Sequence, residues 1–235
     1  MKIGILSICT GKYDVYFDTL YKSLKENFLT EHDKTFYVFT DSTKISDDND
    51  VKVIGQRKLG WPYDTMLRFH MFNGIKEELL KNDYVYFFNA NMKAIRPIGD
   101  EVIPSEENDY LMGGHHPGFF GKSNNEFPYD RNEKCSCYIP YDEGKFYIQG
   151  CFNGGRSKDF LEMSEVLAKN IDNDLTNKTI PLWHDESQIN WYYKDKNPLI
   201  VSSKYIHPES YPHSGDEYML QLDKNRLGGH QKLRE

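Results

Sequence analysis

Five consecutive residues, Trp183-His184-Asp185-Glu186-Ser187, put an aromatic ring, an imidazole and two carboxylates side by side. Two readings compete for them. Carboxylates in the first turn of a helix are favoured by its macrodipole, so capping accounts for Asp185 and Glu186. It does not account for Trp183 and His184. An aromatic plate beside hydrogen-bonding groups suits a sugar, which offers an apolar face and a polar edge. Arg68 is the next candidate, standing four, seven and eleven positions before Phe72, Ile75 and Leu79. That spacing sets a guanidinium on the inward stripe of a helix. Buried charge needs a partner, so Arg68 meets either an internal carboxylate or an anionic ligand.

Asn89-Ala90-Asn91 offers two amides at alternate positions. In an extended segment they face one side and can donate to phosphate or sugar oxygens without a metal. The same residues also form ordinary turns. In Ile8-Cys9-Thr10-Gly11-Lys12-Tyr13 the glycine admits close backbone approach and Tyr13 offers a ring for a base. A plain strand-to-helix turn is the alternative.

These groups need a scaffold. Residues 2–9 form a nearly continuous apolar run, as in a strand covered on both faces. A helical period follows over 13–29, then an apolar run at 35–40, an acidic loop with Asp47, Asp48 and Asp50, and a short strand at 51–54. Leu67, Met71, Ile75 and Leu79 recur at steps of four and predict one helix over 64–80, before an aromatic strand at 84–88. This alternation predicts an α/β fold with a largely parallel sheet. Ligands of such sheets bind beyond the carboxyl ends of strands, where segments 8–13 and 89–91 fall. Residues 113–145 show no period and read as a functional loop. Helices are expected at 158–169 and from Glu186 to Tyr193, and a tail rich in Gly, Pro and charge runs from Pro208 to Glu235.

Composition removes several classes. Among 235 residues, 36 acidic against 29 basic side chains leave a net charge of −7, which counts against nucleic acid as partner. With 38% hydrophobic and 14% aromatic residues the chain is too apolar for disorder. No run approaches the ~20 apolar residues of a membrane span. The apolar N-terminus passes straight into Gly11-Lys12-Tyr13-Asp14, not a small-residue cleavage site. Cys9, Cys135, Cys137 and Cys151 lack zinc-knuckle spacing and read as reduced thiols. A cytoplasmic location is expected.

Taken together, these motifs resemble glycosyltransferase family 6, which includes the histo-blood-group A and B transferases and the α-1,3-galactosyltransferases. The resemblance rests on Gly11-Lys12-Tyr13, on Trp61 with Thr65 and Arg68, and on the aromatic strand leading to Asn89-Ala90-Asn91. It continues through Tyr138-Ile139-Pro140, Tyr147 leading into Gly154-Gly155, and above all Trp183-His184-Asp185-Glu186-Ser187, in order over about residues 4–205.

The resemblance implies a single-domain glycosyltransferase-A type fold, with a nucleotide-binding half at 1–91 and an acceptor-binding half with the tail at 92–235. It implies a retaining transfer of GalNAc or Gal from UDP-GalNAc or UDP-Gal to O3 of a galactoside, forming an α-1,3 linkage. Ile8, Cys9, Thr10 and Tyr13 would hold the uridine. Thr65, Arg68, Asn89, Ala90, Asn91 and Asp185 would meet the donor sugar and diphosphate, and Lys224 and Arg234 would supply positive charge. Gln149-Gly150-Cys151 matches the segment that selects the donor sugar, and its small residues favour UDP-GalNAc. His115, His116, Trp183 and His184 would face the acceptor, a Fuc-α-1,2-Gal type oligosaccharide; Glu186 would be the catalytic carboxylate at the anomeric carbon. Vertebrate members carry Asp-x-Asp for a divalent cation where this chain has Asn89-Ala90-Asn91, the amide version of bacterial members. Amides hold Mg²⁺ or Mn²⁺ poorly, so no metal and no cofactor is expected. Nor is the membrane anchor and stem of vertebrate members expected. Two rival readings are an inactive UDP-sugar or glycan-binding protein of the same fold, and a metal-dependent hydrolase using His115, His116, His184 and Asp185, which lacks a metal-site spacing.

Overall fold

The apolar run at the N-terminus is strand β1 (Lys2–Ile8) of a computed structural model that describes residues 1–45 and 48–234. Asp47 of the acidic loop and Glu235 of the tail lie outside the described residues. After β1 come α1 (Phe17–Asn27), β2 (Asp33–Thr40), β3 (Val51–Gly55), α2 (Tyr63–Met66), α3 (Arg68–Asn73), α4 (Lys76–Leu79) and β4 (Tyr84–Phe88). Then follow β5 (Met92–Ala94), β6 (Leu111–His115), β7 (Ile148–Arg156), α5 (Ser157–Thr176) and α6 (Asp185–Tyr193). The chain closes with β8 (Leu199–Val201), β9 (His207–Pro208), β10 (Met219–Gln221) and α7 (Gly229–Arg234).

Seven strands form one sheet in the order β3-β2-β1-β4-β7-β6-β8, and three form a smaller one, β5-β10-β9. In the large sheet β1 pairs in parallel with β2 and β4, β2 with β3, and β6 with β8. Strand β7 runs antiparallel between β4 and β6. This is the expected α/β fold, of glycosyltransferase-A type. Neighbouring residues of a central strand bury on opposite faces. Ile3, Ile5, Tyr86 and Phe88 pack with Leu20 and Leu24 of α1, whereas Leu6, Val85 and Phe87 pack with Phe69 and Phe72 of α3 and Phe160 of α5. Each such side chain contributes roughly 1.5–3 kcal/mol when fully buried. With helices on both faces no polar alternation is needed, hence the unbroken runs.

Three expectations about elements are corrected, and two strands come without a sequence expectation. Residues Gly11–Tyr16 wind as a 3₁₀ turn and the α-helix begins only at Phe17, with Val15 exposed. The single helix over 64–80 is three short ones, interrupted at Leu67 and at Gly74-Ile75. At the first break the Arg68 Nε donates to the Thr65 carbonyl at 3.2 Å; at the second, Asn73-Gly74 are poor helix formers. The helix begun at 158 continues to Thr176, because Ile171 and Leu175 prolong its inward stripe. Strands β6 and β7 carry no strand pattern, being interrupted by Gly113-Gly114 and by Gly150 and Gly154-Gly155. At Gly155 a Cβ would stand 2.4 Å from the Tyr110 carbonyl oxygen, so close strand contact selects glycine over strand propensity. Much of the aperiodic stretch at 113–145 is loop, pinned by a small cluster of Phe127, Tyr129, Ile139 and Tyr147.

The small sheet returns the tail to the carboxyl end of β4. The Leu222 amide donates to the Asn91 carbonyl at 2.8 Å, and Asn91 Nδ2 donates to the Leu222 carbonyl at 2.8 Å. Lys224 follows immediately.

Candidate active site

A cleft of about 290 Å³ opens at the carboxyl ends of β1 and β4, lined among others by Ile8, Thr10, Tyr13, Asn89, Ala90 and Asn91. A smaller pocket of about 150 Å³ adjoins it, bounded by Gln149, Gly150, Cys151, Asp185 and Glu186. Thr65, Arg68, Asn89 and Trp183 border both. Parallel α/β sheets place ligands at this end because strands stop there and loops diverge.

The deepest feature is a pair of carboxylates around Gly150. Arg68 Nη1 lies 2.9 Å from Asp185 Oδ2 and donates to the Gly150 carbonyl at 2.8 Å. Its guanidinium also stacks over the Phe87 ring at 4.1 Å. Of the two alternatives for Arg68, the internal carboxylate is met, and the side chain also lines the cleft. Glu186 is held by neutral donors instead. The Tyr147 hydroxyl donates to its Oε1 at 2.7 Å and the Gly150 amide to its Oε2 at 2.8 Å. Asp185 and Glu186 do not diverge as neighbours in an ideal first turn; both flank Gly150. A Cβ at Gly150 would stand 2.7 Å from Asp185 Oδ2, so glycine is needed there for the carboxylates themselves. Burial pushes Asp185 up to about 6 against the pull of Arg68. Burial pushes Glu186 up to about 7, helped by the charge of Asp185 and opposed by the Gly150 and Tyr147 hydrogen bonds. The ionised form of Glu186, which gains population as pH rises through about 7 and has no cation bonded to it, can act as a nucleophile or stabilise developing positive charge.

Besides Arg68, positive charge in the cleft comes from two tail residues, Lys224 and Arg234, while burial beside them keeps His230 neutral at pH 7. Lys224, His230 and Arg234 line the cleft, all from the tail. Burial, with Arg234 and Arg68 nearby, pushes the Lys224 ammonium down to about 8. Its Nζ sits 5.4 Å above the Tyr13 ring, and Arg234 stacks over Trp61 at 4.5 Å. Such a lining suits an anion more than a neutral ligand. Trp61 and Trp183 border the cleft with about half their surface exposed, 53% and 49%. The Trp61 and His184 rings meet nearly perpendicularly at 5.1 Å. His184, which starts α6, has φ 55° and ψ −117°, a backbone region costly for a side chain with a Cβ. That strained turn brings Trp183 and the two carboxylates to one opening.

Asp64, Phe87 and His230 line the cleft and were missed by sequence reasoning. Asp64 receives the Leu59 amide at 2.7 Å and the Gly60 amide at 2.9 Å, closing the loop before α2 over the cleft. An Asp just after a Gly-Trp-Pro turn was the available signal.

Several anticipated residues sit differently. Cys9 has no surface in the cleft: its side chain is in the core, its amide bonds Phe39 and its carbonyl accepts from Thr40. Residues 89–91 are a turn closed by the Met92 amide on the Asn89 carbonyl at 3.0 Å, not an extended segment. Asn91 is buried and commits its NH₂ to Leu222, which leaves its side-chain carbonyl and the half-buried Asn89. Cys151 is buried but forms part of the smaller pocket. His115 and His116 lie outside both cavities at the end of β6. His116 packs on Tyr147 with centroids 5.7 Å apart, so it reaches Glu186 only through that ring. Burial pushes His116 down to about 4, which keeps it neutral at pH 7. The hydrolase set does not assemble. Among the described residues, convergent groups of metal-ligating side chains lie elsewhere, at Asp130, Cys135 and Cys137 and at His207, His213 and Glu217.

Residues 1–232 match the sequence profile of glycosyltransferase family 6. The chain belongs to this family. It is 36% identical to the O-antigen biosynthesis glycosyltransferase WbnI of Escherichia coli over 228 residues, covering 96% of each chain. It is 29% identical to the histo-blood group ABO system transferase 1 of Rattus norvegicus, covering 87% of this chain and 60% of that protein. With the globoside alpha-1,3-N-acetylgalactosaminyltransferase 1 of Gallus gallus it shares 25% identity, over 96% of this chain and 68% of that one. As a family 6 member the protein is a hexosyltransferase that takes a nucleotide-sugar donor and a glycan acceptor. No helix among the described residues is long and apolar enough to cross a membrane.

Proposed function

We propose that this family 6 enzyme transfers GalNAc from UDP-GalNAc to O3 of a galactoside, with retention, without a divalent metal, in the cytoplasm. The observation that carries the reading is the division of charge between the two cavities. Lys224 and Arg234 line the larger cleft, and Glu186 lines the adjoining smaller pocket with no cation bonded to it. On this reading uridine lies toward Thr10 and Tyr13, the diphosphate toward Lys224 and Arg234, and the sugar toward Arg68, Asn89 and Gln149. The C1–O bond to the β-phosphate breaks and UDP leaves with the electron pair. Acceptor O3 then bonds to C1 on the same face, either directly through an oxocarbenium-like ion pair or after a covalent Glu186 intermediate. In the direct route the O3 proton passes to the departing phosphate; in the covalent route O3 displaces the Glu186 carboxylate, breaking its bond to C1, and the O3 proton passes to the β-phosphate of the bound UDP.

Metal independence is supported by the amides of Asn89 and Asn91 and by the tail cations, which can stabilise the leaving diphosphate. The choice of GalNAc is supported by Gln149. Its Nε2 reaches Gln221 at 3.4 Å, but its Oε1 is buried without a partner beside the smaller pocket. An acetamido N–H offers that oxygen a donor, although discrimination by one missing group is modest, about 1–3 kcal/mol. Free, buried thiols at all four cysteines suit a reducing compartment. By likeness to the blood-group transferases, the acceptor carries an α-1,2-linked fucose.

The test is a screen of UDP-GalNAc, UDP-Gal, UDP-Glc and UDP-GlcNAc against lactose and 2′-fucosyllactose, with and without EDTA. The reading expects the highest kcat/KM for UDP-GalNAc on the fucosylated acceptor, unchanged by EDTA. Higher kcat/KM with UDP-Gal reverses the donor, and equal rates on both acceptors remove the fucose requirement. No turnover with any donor overturns the activity.

A further inference from the structure

Strand β9 and the loop that joins it to β10 bring together His207, His213 and Glu217, whose ligand atoms all lie within 4.8 Å of one another. None of them borders the cleft or the smaller pocket. His207 Nε2 is 4.0 Å from Glu217 Oε1, and His213 Nδ1 is 3.8 Å from Glu217 Oε2. Both gaps are too long for hydrogen bonds. His207 Nε2 is moreover buried without any hydrogen-bond partner. His213 has its other nitrogen, Nε2, 3.2 Å from the Glu209 carbonyl. A carbonyl only accepts, so that nitrogen carries a proton, and in the neutral ring Nδ1 turns a lone pair toward Glu217.

The Glu217 carboxylate is fixed in turn. Ser214 donates to Oε1 from its amide at 2.6 Å and its hydroxyl at 3.0 Å, and the Gly215 amide donates to Oε2 at 3.1 Å. The nearby Lys204 is paired with Asp216. Two ring nitrogens and a held carboxylate therefore face one point, and a positive centre there would satisfy all three.

We propose that His207, His213 and Glu217 bind a divalent transition metal, with Zn²⁺ favoured by the nitrogen and oxygen donors. Ligands at 2.0–2.1 Å on a tetrahedral ion stand about 3.4 Å apart, so the two His–Glu gaps need to close by roughly half an ångström, and three ligand atoms now within 4.8 Å of one another need to draw in to that spacing. The donation from His213 to Glu209 and those from Ser214 and Gly215 to Glu217 are the outer contacts that orient metal ligands. The metal acts as a staple. Glu209, whose carbonyl takes His213, also accepts the Asp223 amide at 2.9 Å and pairs with Arg226 at 3.0 Å. Asp223 in turn caps the turn that begins at Lys224. The site thus fixes the segment that carries Lys224 into the cleft and takes no part in bond making. It stands independently of the donor and acceptor proposed above.

The test uses the untagged full chain, stripped with EDTA, desalted and titrated with Zn²⁺ against a chromophoric chelator, and in parallel with Co²⁺. One zinc per chain is expected, with cobalt absorption in the visible range and no thiolate-to-cobalt charge-transfer band. His213→Ala and Glu217→Gln should each weaken zinc binding at least about tenfold. His213→Ala, at a side chain 44% exposed, should also abolish the zinc-dependent rise in Tm while leaving the zinc-free Tm unchanged. A Cys135→Ser/Cys137→Ser double variant should bind zinc as the parent does. Absence of zinc binding would leave two rings and a carboxylate merely close in space and overturn the site. Equal binding by His213→Ala, or a thiolate charge-transfer band, would move the metal to the Asp130, Cys135 and Cys137 cluster and overturn it as well.

Discussion

Arg68 and Asp185 meet at 2.9 Å with side chains only 5% and 4% exposed, and the guanidinium also donates to the carbonyl of Gly150, whose amide donates to Glu186. A single glycine therefore ties the cation, its counterion and the second carboxylate into one unit. Arg68 keeps Asp185 ionised, and that negative charge helps hold the proton affinity of Glu186 high.

Removing Asp185 exposes the cost of this arrangement. Asp185→Asn leaves a buried guanidinium without its countercharge, and breaking a buried pair in this way typically costs about 3–5 kcal/mol. Urea denaturation at pH 7.5 should show a loss in that range. An Arg68→Met/Asp185→Asn double variant should lose less than the sum of the single changes. A single-variant loss below about 1 kcal/mol would mean that the pair is not the structural unit described.

The pH dependence of kcat/KM should be a narrow bell. Glu186 acts ionised, so the rate rises with pH through about 7, the value to which burial pushes it. Lys224 acts as an ammonium, so the rate falls with pH through about 8, the value to which burial and neighbouring cations push it. Stability carries the same signature with opposite consequence. The folded state binds the Glu186 proton more tightly than the unfolded chain, so ionisation costs stability as pH rises from the ordinary 4.5 to about 7. Glu186→Gln should therefore raise Tm more at pH 8 than at pH 4. A rate profile flat from pH 6 to 9 would contradict both assignments.

Lys224→Ala should lower kcat by about 10²-fold, the loss typical of removing one group that stabilises transition-state charge. Turnover of the parent should be unaffected by EDTA in short assays. The His213→Ala chain separates a structural metal from a catalytic one: if EDTA slows the parent but not this variant, the effect comes from the loop. Activity abolished by EDTA in both chains and restored by Mn²⁺ would refute metal-independent transfer.

The central strands and Arg68 were legible because continuous apolar runs and a helical stripe are local patterns. So was the Trp183–Ser187 cluster, whose residue types already exceed what a helix start requires. The facing of Cys9 was not legible, since a strand buried on both sides has no polar alternation to mark its faces. The glycine-rich β7 was hidden because close packing against Tyr110, Asp185 and Glu186 selects its glycines. His230 was invisible for a different reason. It reaches the cleft only because Asn91 and Leu222 exchange hydrogen bonds across the small sheet, a pairing between distant segments that no local window contains. The turn at 89–91 likewise reflects that clasp, which overrides an extended reading of the two asparagines.

The most direct measurement is steady-state kinetics of Glu186→Gln with UDP-GalNAc and a fucosylated galactoside, in EDTA, beside a circular dichroism check of folding. The substitution keeps size and the Gly150 hydrogen bond, turns the Tyr147 contact into one in which the new NH₂ group donates to the hydroxyl, and removes the charge. Because that charge acts mainly in the transition state, kcat should fall by about 10²-fold or more while donor KM changes little. A folded Glu186→Gln protein that retains most of its kcat would contradict the catalytic role of Glu186 and leave it a helix-starting carboxylate.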